Sequence, residues 1–358
     1  MTILYILASY NIYGGTPKKT LDLLEHIKED ASLYMYGDEF SEFKHRFEES
    51  GATLYEGYYK RNIYLHIQKL LSIIDDQEIK IIQTQFSFGE LLGVILKKIR
   101  PEIQLIISFE TAFMPSGIRR YILAPLYSYV DAFIYISNYV KKEKEKSFPS
   151  LKNKNTMIIY NGTRKREITE DVSPQLNSFS LLDVAGLNPA KNLYVLIRMM
   201  NILVNTYQKN IYLYIAGEGS EDIPLLKEIE KFSLQNYVYL LGNQKNVGQL
   251  LESSDIFVHS SDREGFGIVV IEAMMAEKPI IVANAGALPE IIENKETGLI
   301  VDPYDASAWA KAVLKLMNNK ILAQELAFNA KKIVENKFSI ENYINQHLQL
   351  YKNLMDKL

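Results

Sequence analysis

The chain alternates short apolar runs with longer amphipathic segments along almost its whole length. In the first half these segments are Ile3 to Ala8, Thr20 to Glu29, Ser32 to Tyr36, Phe40 to Ser50, Ile63 to Asp75, Ile79 to Gln83, Leu91 to Ile99, Gln104 to Ser108 and Ala132 to Ser137. This alternation predicts βαβ units, in which parallel strands form a sheet and helices cover both of its faces. The pattern therefore restricts the chain to the α/β class.

The second half repeats the same alternation. Its predicted strands and helices are 181–185, 192–204, 211–216, 220–232, 238–241, 247–252, 255–259, 306–318, 320–335 and 340–357. A length of 358 residues fits two domains. Residues 164–178 have little apolar periodicity, which is typical of a linker between domains. We therefore predict a first domain over 1–162, a linker over 163–178 and a second domain over 179–340.

Composition excludes several classes of function. The chain has 40 Lys and Arg against 43 Asp and Glu, a net charge of −3, so we expect no nucleic-acid partner. It contains no cysteine, which excludes disulfides, thiolate catalysis and cysteine-based metal sites. No apolar run reaches about 18 residues, so we predict no transmembrane helix. These features fit a cytoplasmic protein.

Two glutamates, Glu264 and Glu272, flank a glycine turn and the start of an apolar segment. If the turn at 265–267 opens a helix, Glu272 lies in the second helical turn, roughly 10 Å from Glu264. The first N–H groups of such a helix favour an anion. The arrangement suits a nucleotide diphosphate sugar, with a carboxylate on each side of a phosphate site. By propensity alone residues 268–271 favour a strand, whereas 273–276 favour a helix.

The stretch around these glutamates resembles the Glu-x7-Glu signature of the retaining glycosyltransferases of family 4. The resemblance extends to residues 254–260 before it and to 279–283, Gly286, 289–292 and 297–301 after it. It implies a GT-B fold of two facing Rossmann-like domains, with a last helix, 341–358, that crosses back to the first domain. It also implies that Glu264 holds hydroxyls of the donor sugar and that Glu272 binds ribose. The donor-binding turn between them is Gly265, Phe266, Gly267 and Ile268, with backbone donors at Phe266 and Gly267.

Other positions are carried over from the same family. Lys191 corresponds to the lysine that binds the donor diphosphate, but Gly186 stands where the family usually has an arginine. Loss of that cation removes a charge-assisted contact of roughly 1.5–3 kcal/mol. Glu110 stands where many relatives have a histidine near the transferred sugar, and it could hydrogen-bond a sugar hydroxyl or stabilise positive charge. The remaining donor-binding positions implied are Gly14, Gly15, Gly217, Gly242 and Asn243.

The resemblance implies a retaining hexosyltransferase that needs no cofactor and no metal. We expect transfer from a nucleotide diphosphate sugar to a hydroxyl of a saccharide, lipid-linked or protein acceptor, in surface-polysaccharide, glycolipid or glycoconjugate synthesis. A second hypothesis is a degenerate, non-catalytic sugar-nucleotide-binding subunit, motivated by Gly186 and Glu110. A GT-B phosphorylase or sugar-nucleotide epimerase is a third.

A basic region predicts contact with a membrane surface. Residues 97–167 contain 14 Lys and Arg against 6 Asp and Glu, a local excess of +8. Arg119 and Arg120 are followed by Tyr121, Ile122, Leu123, Leu126, Tyr127 and Tyr129. A basic and aromatic surface suits an anionic bilayer, so one hypothesis is peripheral contact with the inner face of the cytoplasmic membrane, and the alternative is a solvated basic face.

Overall fold

The computed structural model describes residues 2–11, 15–37, 43–112, 124–165, 174–176 and 179–357. The chain forms two compact units. Unit 1 comprises Met1–Asn161 and Ile340–Leu358, and unit 2 comprises Gly162–Ser339.

Unit 1 contains a parallel sheet of seven described strands, in the order β3-β2-β1-β4-β5-β6-β7. Its strands are β1 (Ile3–Leu7), β2 (Ala31–Met35), β3 (Thr53–Glu56), β4 (Ile81–Gln85), β5 (Gln104–Phe109), β6 (Ala132–Tyr135) and β7 (Thr156–Ile158). Its helices are α1 (Gly15–Ile27), α2 (Lys44–Glu48), α3 (Ile63–Asp76), α4 (Phe86–Ile99), α5 (Asn138–Ser147) and, after unit 2, α13 (Ile340–Met355). The central strands are buried on both faces, as is typical of parallel sheets covered by helices.

The sequence prediction of unit 1 is confirmed in type but not in every boundary. Strand β4 lies two residues later than the predicted 79–83, and α4 begins at Phe86, directly after it. Strands β3 and β7 were not predicted, since both are short and only half-buried along much of their length. Helix α2 is shorter than the predicted 40–50, of which residues 40–42 lie outside the described part.

Helix α13 packs into the core of unit 1, although it follows unit 2 in the sequence. Its buried residues Tyr343, Ile344 and Leu350 belong to the same apolar cluster as the β1 and α1 side chains. Two buried hydrogen bonds fix it: the hydroxyls of Tyr351 and Tyr5 lie 2.9 Å apart, and the Tyr351 hydroxyl donates to Gln83 Oε1 at 2.7 Å. The last helix is therefore a structural part of unit 1.

Unit 2 contains a second parallel sheet of six described strands, in the order β10-β9-β8-β11-β12-β13. Its strands are β8 (Ser180–Val184), β9 (Tyr212–Ala216), β10 (Val238–Leu240), β11 (Ile256–His259), β12 (Ile280–Ala283) and β13 (Leu299–Val301). Its helices are α6 (Tyr194–Asn201), α7 (Asp222–Lys231), α8 (Val247–Ser253), α9 (Ile268–Met275), α10 (Leu288–Ile291), α11 (Ala306–Asn318) and α12 (Lys320–Lys337). Both units are thus Rossmann-like, as the sequence predicted.

The stretch that begins at Ile268 is a helix, despite its β-branched start. Gly267 has a φ of 103°, a conformation that turns the chain out of the loop and that glycine adopts without a Cβ clash. Helix α9 buries Val270, Ile271 and Met274 and packs against α12. Tertiary packing of an all-round apolar helix therefore overrides the strand propensity of its first residues.

The structure describes only part of the region that the sequence predicted to contact a membrane. Arg119, Arg120, Tyr121, Ile122 and Leu123 lie outside the described residues. Tyr127 is buried and its hydroxyl donates to Glu90 Oε2 at 3.0 Å, so the inclusion of this tyrosine in a surface was wrong. Tyr129 is exposed. In the described part of the chain, no helix combines the length and the apolar character that crossing a bilayer requires.

Candidate active site

The candidate donor site of unit 2 lies at the carboxyl edge of its sheet. Strands β10, β9, β8 and β11 are neighbours there, and each is followed by residues singled out in the sequence. Ligands of open α/β sheets bind at this edge, because the loops that follow the strands converge on it. The positions brought there are Gly242 and Asn243 after β10, Gly217 after β9, Gly186 and Lys191 after β8, and Glu264 to Ile268 after β11.

Lys191 ends a short 3-10 turn whose backbone is fixed by side chains. Asn188 Oδ1 accepts a hydrogen bond from the Ala190 N–H at 3.1 Å, and this bond caps the turn. From the loop after β11, Ser260 Oγ donates to the carbonyl of Lys191 at 2.8 Å and Ser261 Oγ donates to that of Ala190 at 3.0 Å. The two loops that carry Lys191 and Glu264 are therefore tied together by hydrogen bonds from serine side chains to main-chain carbonyls.

Glu264 lies at the centre of a line of charged side chains. Lys191 Nζ is 2.6 Å from Glu264 Oε2, and His259 Nε2 is 3.0 Å from the same oxygen. On its other side, His259 Nδ1 is 2.9 Å from Asp183 Oδ1. Asp183 and His259 are almost completely buried, whereas the Glu264 and Lys191 side chains are 14% and 22% exposed. The Lys191 end of this line is therefore the one that solvent reaches.

The electrostatics of this line keep Glu264 ionised. Burial alone would raise the pKa of Glu264, but Lys191 and His259 outweigh it and hold the pKa well below its usual range. Burial likewise lowers the pKa of His259, yet Asp183 and Glu264 raise it to about 9 against the opposing charge of Lys191. At neutral pH the arrangement therefore combines an ionised carboxylate, an imidazolium and an ammonium group.

The main chain of the Glu264 loop is held from the segment after β12. The Ala287 N–H donates to the Glu264 carbonyl at 2.9 Å. Gly286 has a φ of 59°, and a Cβ there would lie 2.4 Å from the Glu264 carbonyl oxygen. Phe266 is buried against Phe338, with ring centroids 5.7 Å apart. The loop thus has one packed conformation, in which the predicted turn residues lead directly into α9.

Glu272 occupies the second turn of α9, as predicted from its spacing to Glu264. Its side chain is only 3% exposed. Because a buried carboxylate is costly without hydrogen bonds, Glu272 needs hydrogen-bond donors at this position.

Three glycine turns pack closely at the ends of β8, β9 and β10. Gly217 has a φ of 139°, and a Cβ there would lie 2.0 Å from the Ala185 carbonyl oxygen. Its N–H donates to the Gly242 carbonyl at 2.8 Å, and the Asn243 amide donates to the Glu218 carboxylate. The predicted donor-binding residues of the turns after β9 and β10 are therefore in direct contact with one another.

Gly186 differs from Gly217 because a Cβ there would meet no close contact. The nearest atoms to a Cβ would be Asn188 Nδ2 at 3.7 Å and the Glu218 carbonyl oxygen at 3.9 Å, which are ordinary van der Waals distances. The fold of this loop does not itself require a glycine at this position.

The predicted residues of unit 1 lie at the carboxyl edge of the other sheet. Gly15 is the first residue of α1, and Gly14 lies outside the described residues. Glu110 directly follows β5, and burial raises its pKa to about 7 although a hydrogen bond with Ser108 opposes the shift. Glu110 is therefore partly protonated near neutral pH, in contrast to Glu264.

The sequence analysis did not single out Asp183 or His259, which the structure places in a line with Glu264. Asp183 lies in an apolar strand, and His259 ends another, so neither stands out from its neighbours. A signal was nevertheless present, since an acidic and a basic side chain inside two buried strands need a partner. Among the described residues, no group of three or more histidine or acidic side chains has an arrangement that could hold a metal ion.

Comparison with known proteins agrees with this architecture. Residues 164–333 match the family model of the group 1 glycosyl transferases. The chain is 26% identical over 294 residues to an uncharacterized glycosyltransferase of Methanocaldococcus jannaschii, covering 80% of this chain and 78% of that one. It is 33% identical over 150 residues to the capsular polysaccharide biosynthesis glycosyltransferase CapM of Staphylococcus aureus, covering 42% and 39% of the two chains.

Among solved structures, Anabaena HepE in complex with UDP-glucose superposes with a TM-score of 0.84. The superposition covers 99% of this chain and 100% of that one at 20% sequence identity. The fold is therefore GT-B, with two Rossmann-like domains. The family match over unit 2 supports a glycosyltransferase.

Proposed function

We propose that this protein is a retaining glycosyltransferase of family 4 that moves a hexose from a nucleotide diphosphate sugar to a hydroxyl acceptor. The contact between Lys191 and Glu264 carries the proposal, because it joins a cation for phosphate and a carboxylate for sugar hydroxyls at one edge. UDP-hexoses are the first donors to test, since HepE is described in complex with UDP-glucose. The relation to CapM favours a role in surface-polysaccharide synthesis.

Each residue of the line has a defined task in this proposal. Lys191 binds the donor diphosphate and stabilises the charge that develops on it as it leaves. Glu264 accepts hydrogen bonds from hydroxyls of the donor sugar. The backbone of the turn at 265–268 faces the phosphates at the start of α9, where the helix dipole favours an anion. Glu272 accepts hydrogen bonds from the ribose hydroxyls.

The transfer step then needs no protein nucleophile. The acceptor oxygen bonds to the anomeric carbon on the face that the diphosphate leaves, while the bond between that carbon and the phosphate oxygen breaks. The leaving phosphate takes the proton of the acceptor hydroxyl, so charge and atoms balance. This front-face route retains the anomeric configuration, and we propose that it runs without a metal ion.

The test has two stages. Isothermal titration and thermal shift with UDP, GDP, ADP and CDP measure nucleotide binding, since a ligand that binds the folded state raises the melting temperature. We expect one diphosphate to bind, and Glu272→Gln to weaken that binding because the ribose contact is lost. Proton NMR of the product formed from the matching donor then reports its anomeric configuration, with and without EDTA.

Each outcome decides a different part of the proposal. An inverted product would exclude the retaining mechanism, and loss of turnover in EDTA would exclude the metal-independent one. If no nucleotide diphosphate binds, the result favours the degenerate subunit that Gly186 and Glu110 suggest, which should bind nucleotide poorly and need a partner chain.

A further inference from the structure

The two nitrogens of the His259 ring each face a carboxylate. Nδ1 lies 2.9 Å from Asp183 Oδ1, and Nε2 lies 3.0 Å from Glu264 Oε2. A neutral imidazole has one N–H and one lone pair, and an ionised carboxylate only accepts hydrogen bonds. A neutral ring would therefore direct its lone pair at one of the two carboxylates. The imidazolium is the form of His259 that donates to both.

Lys191 shares its acceptor with His259. Both donate to Glu264 Oε2, so the carboxylate has two cationic partners at one oxygen. In the proposed reaction Lys191 turns to the diphosphate and leaves Glu264. A largely buried carboxylate without a cationic partner is costly and tends to take up a proton. Protonation would end its use as an acceptor for two sugar hydroxyls.

His259 cannot leave in the same way. Its ring is 1% exposed, it ends β11, and its partner Asp183 is fully buried on the adjacent strand β8. We propose that His259, held as an imidazolium between Asp183 and Glu264, is a positioning residue that keeps Glu264 ionised and oriented when Lys191 binds the donor. This role rests on the proposed function. His259 also provides a buried positive charge in a site where residue 186 is an uncharged glycine.

The charged groups around the ring agree with this role. Asp183 from β8 and Glu264 from the following loop face it with negative charge, and Lys191 from the turn after β8 opposes them. Phe257, stacked at a centroid distance of 6.2 Å, adds no charge. The balance raises the pKa of His259 to about 9, so the imidazolium is present at neutral pH and is lost as the pH rises past that value.

The first experiment reads the ring directly and needs no substrate. Protein labelled with ¹⁵N in its five histidines is titrated by NMR from pH 6 to pH 10, with and without UDP, and His259→Gln assigns the signal. We expect both ring nitrogens of His259 to stay protonated up to about pH 9, with and without UDP. In Asp183→Asn the pKa of the ring should be lower by about one unit. A ring that is neutral at pH 7.5, free or with UDP, overturns the proposal.

The second experiment separates positioning from fold. His259→Gln should lower kcat by about 10- to 100-fold through misplacement of Glu264, while its Kd for UDP, which lacks the sugar, changes less than about threefold. In Asp183→Asn the turnover should recover as the pH falls from about 9 to about 7, because the imidazolium forms again. A merely structural defect would not recover. His347→Gln is the matched control, since it removes another buried imidazole, which lies on α13 in unit 1 and hydrogen-bonds the Tyr343 carbonyl.

The outcomes separate this inference from the proposed function. Normal turnover in His259→Gln, or a pH-independent defect in Asp183→Asn, overturns the role of His259 and leaves the glycosyltransferase intact. If the wild-type protein neither binds UDP nor turns over any nucleotide sugar, the proposed function is wrong. The role of His259 towards a donor is then wrong as well.

Discussion

Lys191 and Glu264 lie 73 residues apart in the sequence, yet Nζ of the one is 2.6 Å from Oε2 of the other. The contact is possible because β8 and β11 are adjacent in the sheet and their following loops exchange hydrogen bonds at Ser260 and Ser261. In the proposed function, a diphosphate would offer Lys191 a more highly charged partner than one carboxylate.

Replacement of Lys191 by glutamine should weaken the binding of the nucleotide diphosphate. A charge-assisted hydrogen bond contributes about 1.5–3 kcal/mol, so we expect Kd to rise by about 10- to 150-fold. Isothermal titration with UDP measures it. Lys315→Gln, an exposed lysine on α11, is the control and should bind as the wild type does. Equal affinity of the two variants would show that Lys191 does not bind phosphate.

Alanine at Gly217 and at Gly186 should differ in their effect on stability. At Gly217 the φ of 139° is unfavourable for alanine, and the Cβ would meet the Ala185 carbonyl oxygen at 2.0 Å. We expect a loss of about 1–3 kcal/mol in the free energy of unfolding. At Gly186 the nearest contact is 3.7 Å, and the change should stay within roughly 0.5 kcal/mol. Urea unfolding followed by circular dichroism compares them, and equal losses would contradict the described turn.

The substitution Gly186→Arg should strengthen the binding of the nucleotide diphosphate. A Cβ at this position meets no atom closer than 3.7 Å, and a second cation near Lys191 would add a charge-assisted contact to the diphosphate. We expect the Kd for the nucleotide diphosphate to fall by about tenfold. Gly186→Met is the control of similar length without charge. If both variants bind alike, the phosphates do not lie near residue 186.

Glu110 should make the stability of the protein depend on pH. Burial raises its pKa from 4.5 to about 7, so the folded protein keeps a proton that the unfolded chain releases between these values. The stabilisation is thus fully present below pH 4.5 and is lost as the pH rises through 7. Glu110→Gln, which stays neutral, should therefore gain stability relative to the wild type between pH 5 and pH 8.

Urea unfolding at the two pH values measures this difference. The exposed glutamate Glu102 provides the control, since Glu102→Gln should change the free energy of unfolding equally at pH 5 and at pH 8. A constant difference between Glu110→Gln and the wild type would mean that Glu110 is ionised throughout this range.

Much of the fold could be predicted from local patterns. The alternation of apolar runs and amphipathic segments identified the parallel sheets, because buried strands and one-sided helices have different periodicities. Strand β3 escaped prediction because its side chains are only half-buried and its apolar signal is weak. The segment from Ile268 was ambiguous, because β-branched residues favour a strand when the packing of α9 on α12 is not known.

The sequence by itself determined the α/β class, because buried strands and amphipathic helices have different local periodicities. It also predicted two domains, and its resemblance to a known family singled out Glu264, Glu272 and Lys191. Only the tertiary structure decided that Asp183 and His259 belong to the same site as Glu264. Their interaction depends on the order of β8 and β11 in the sheet, and strand order is set by long-range packing that no local pattern records.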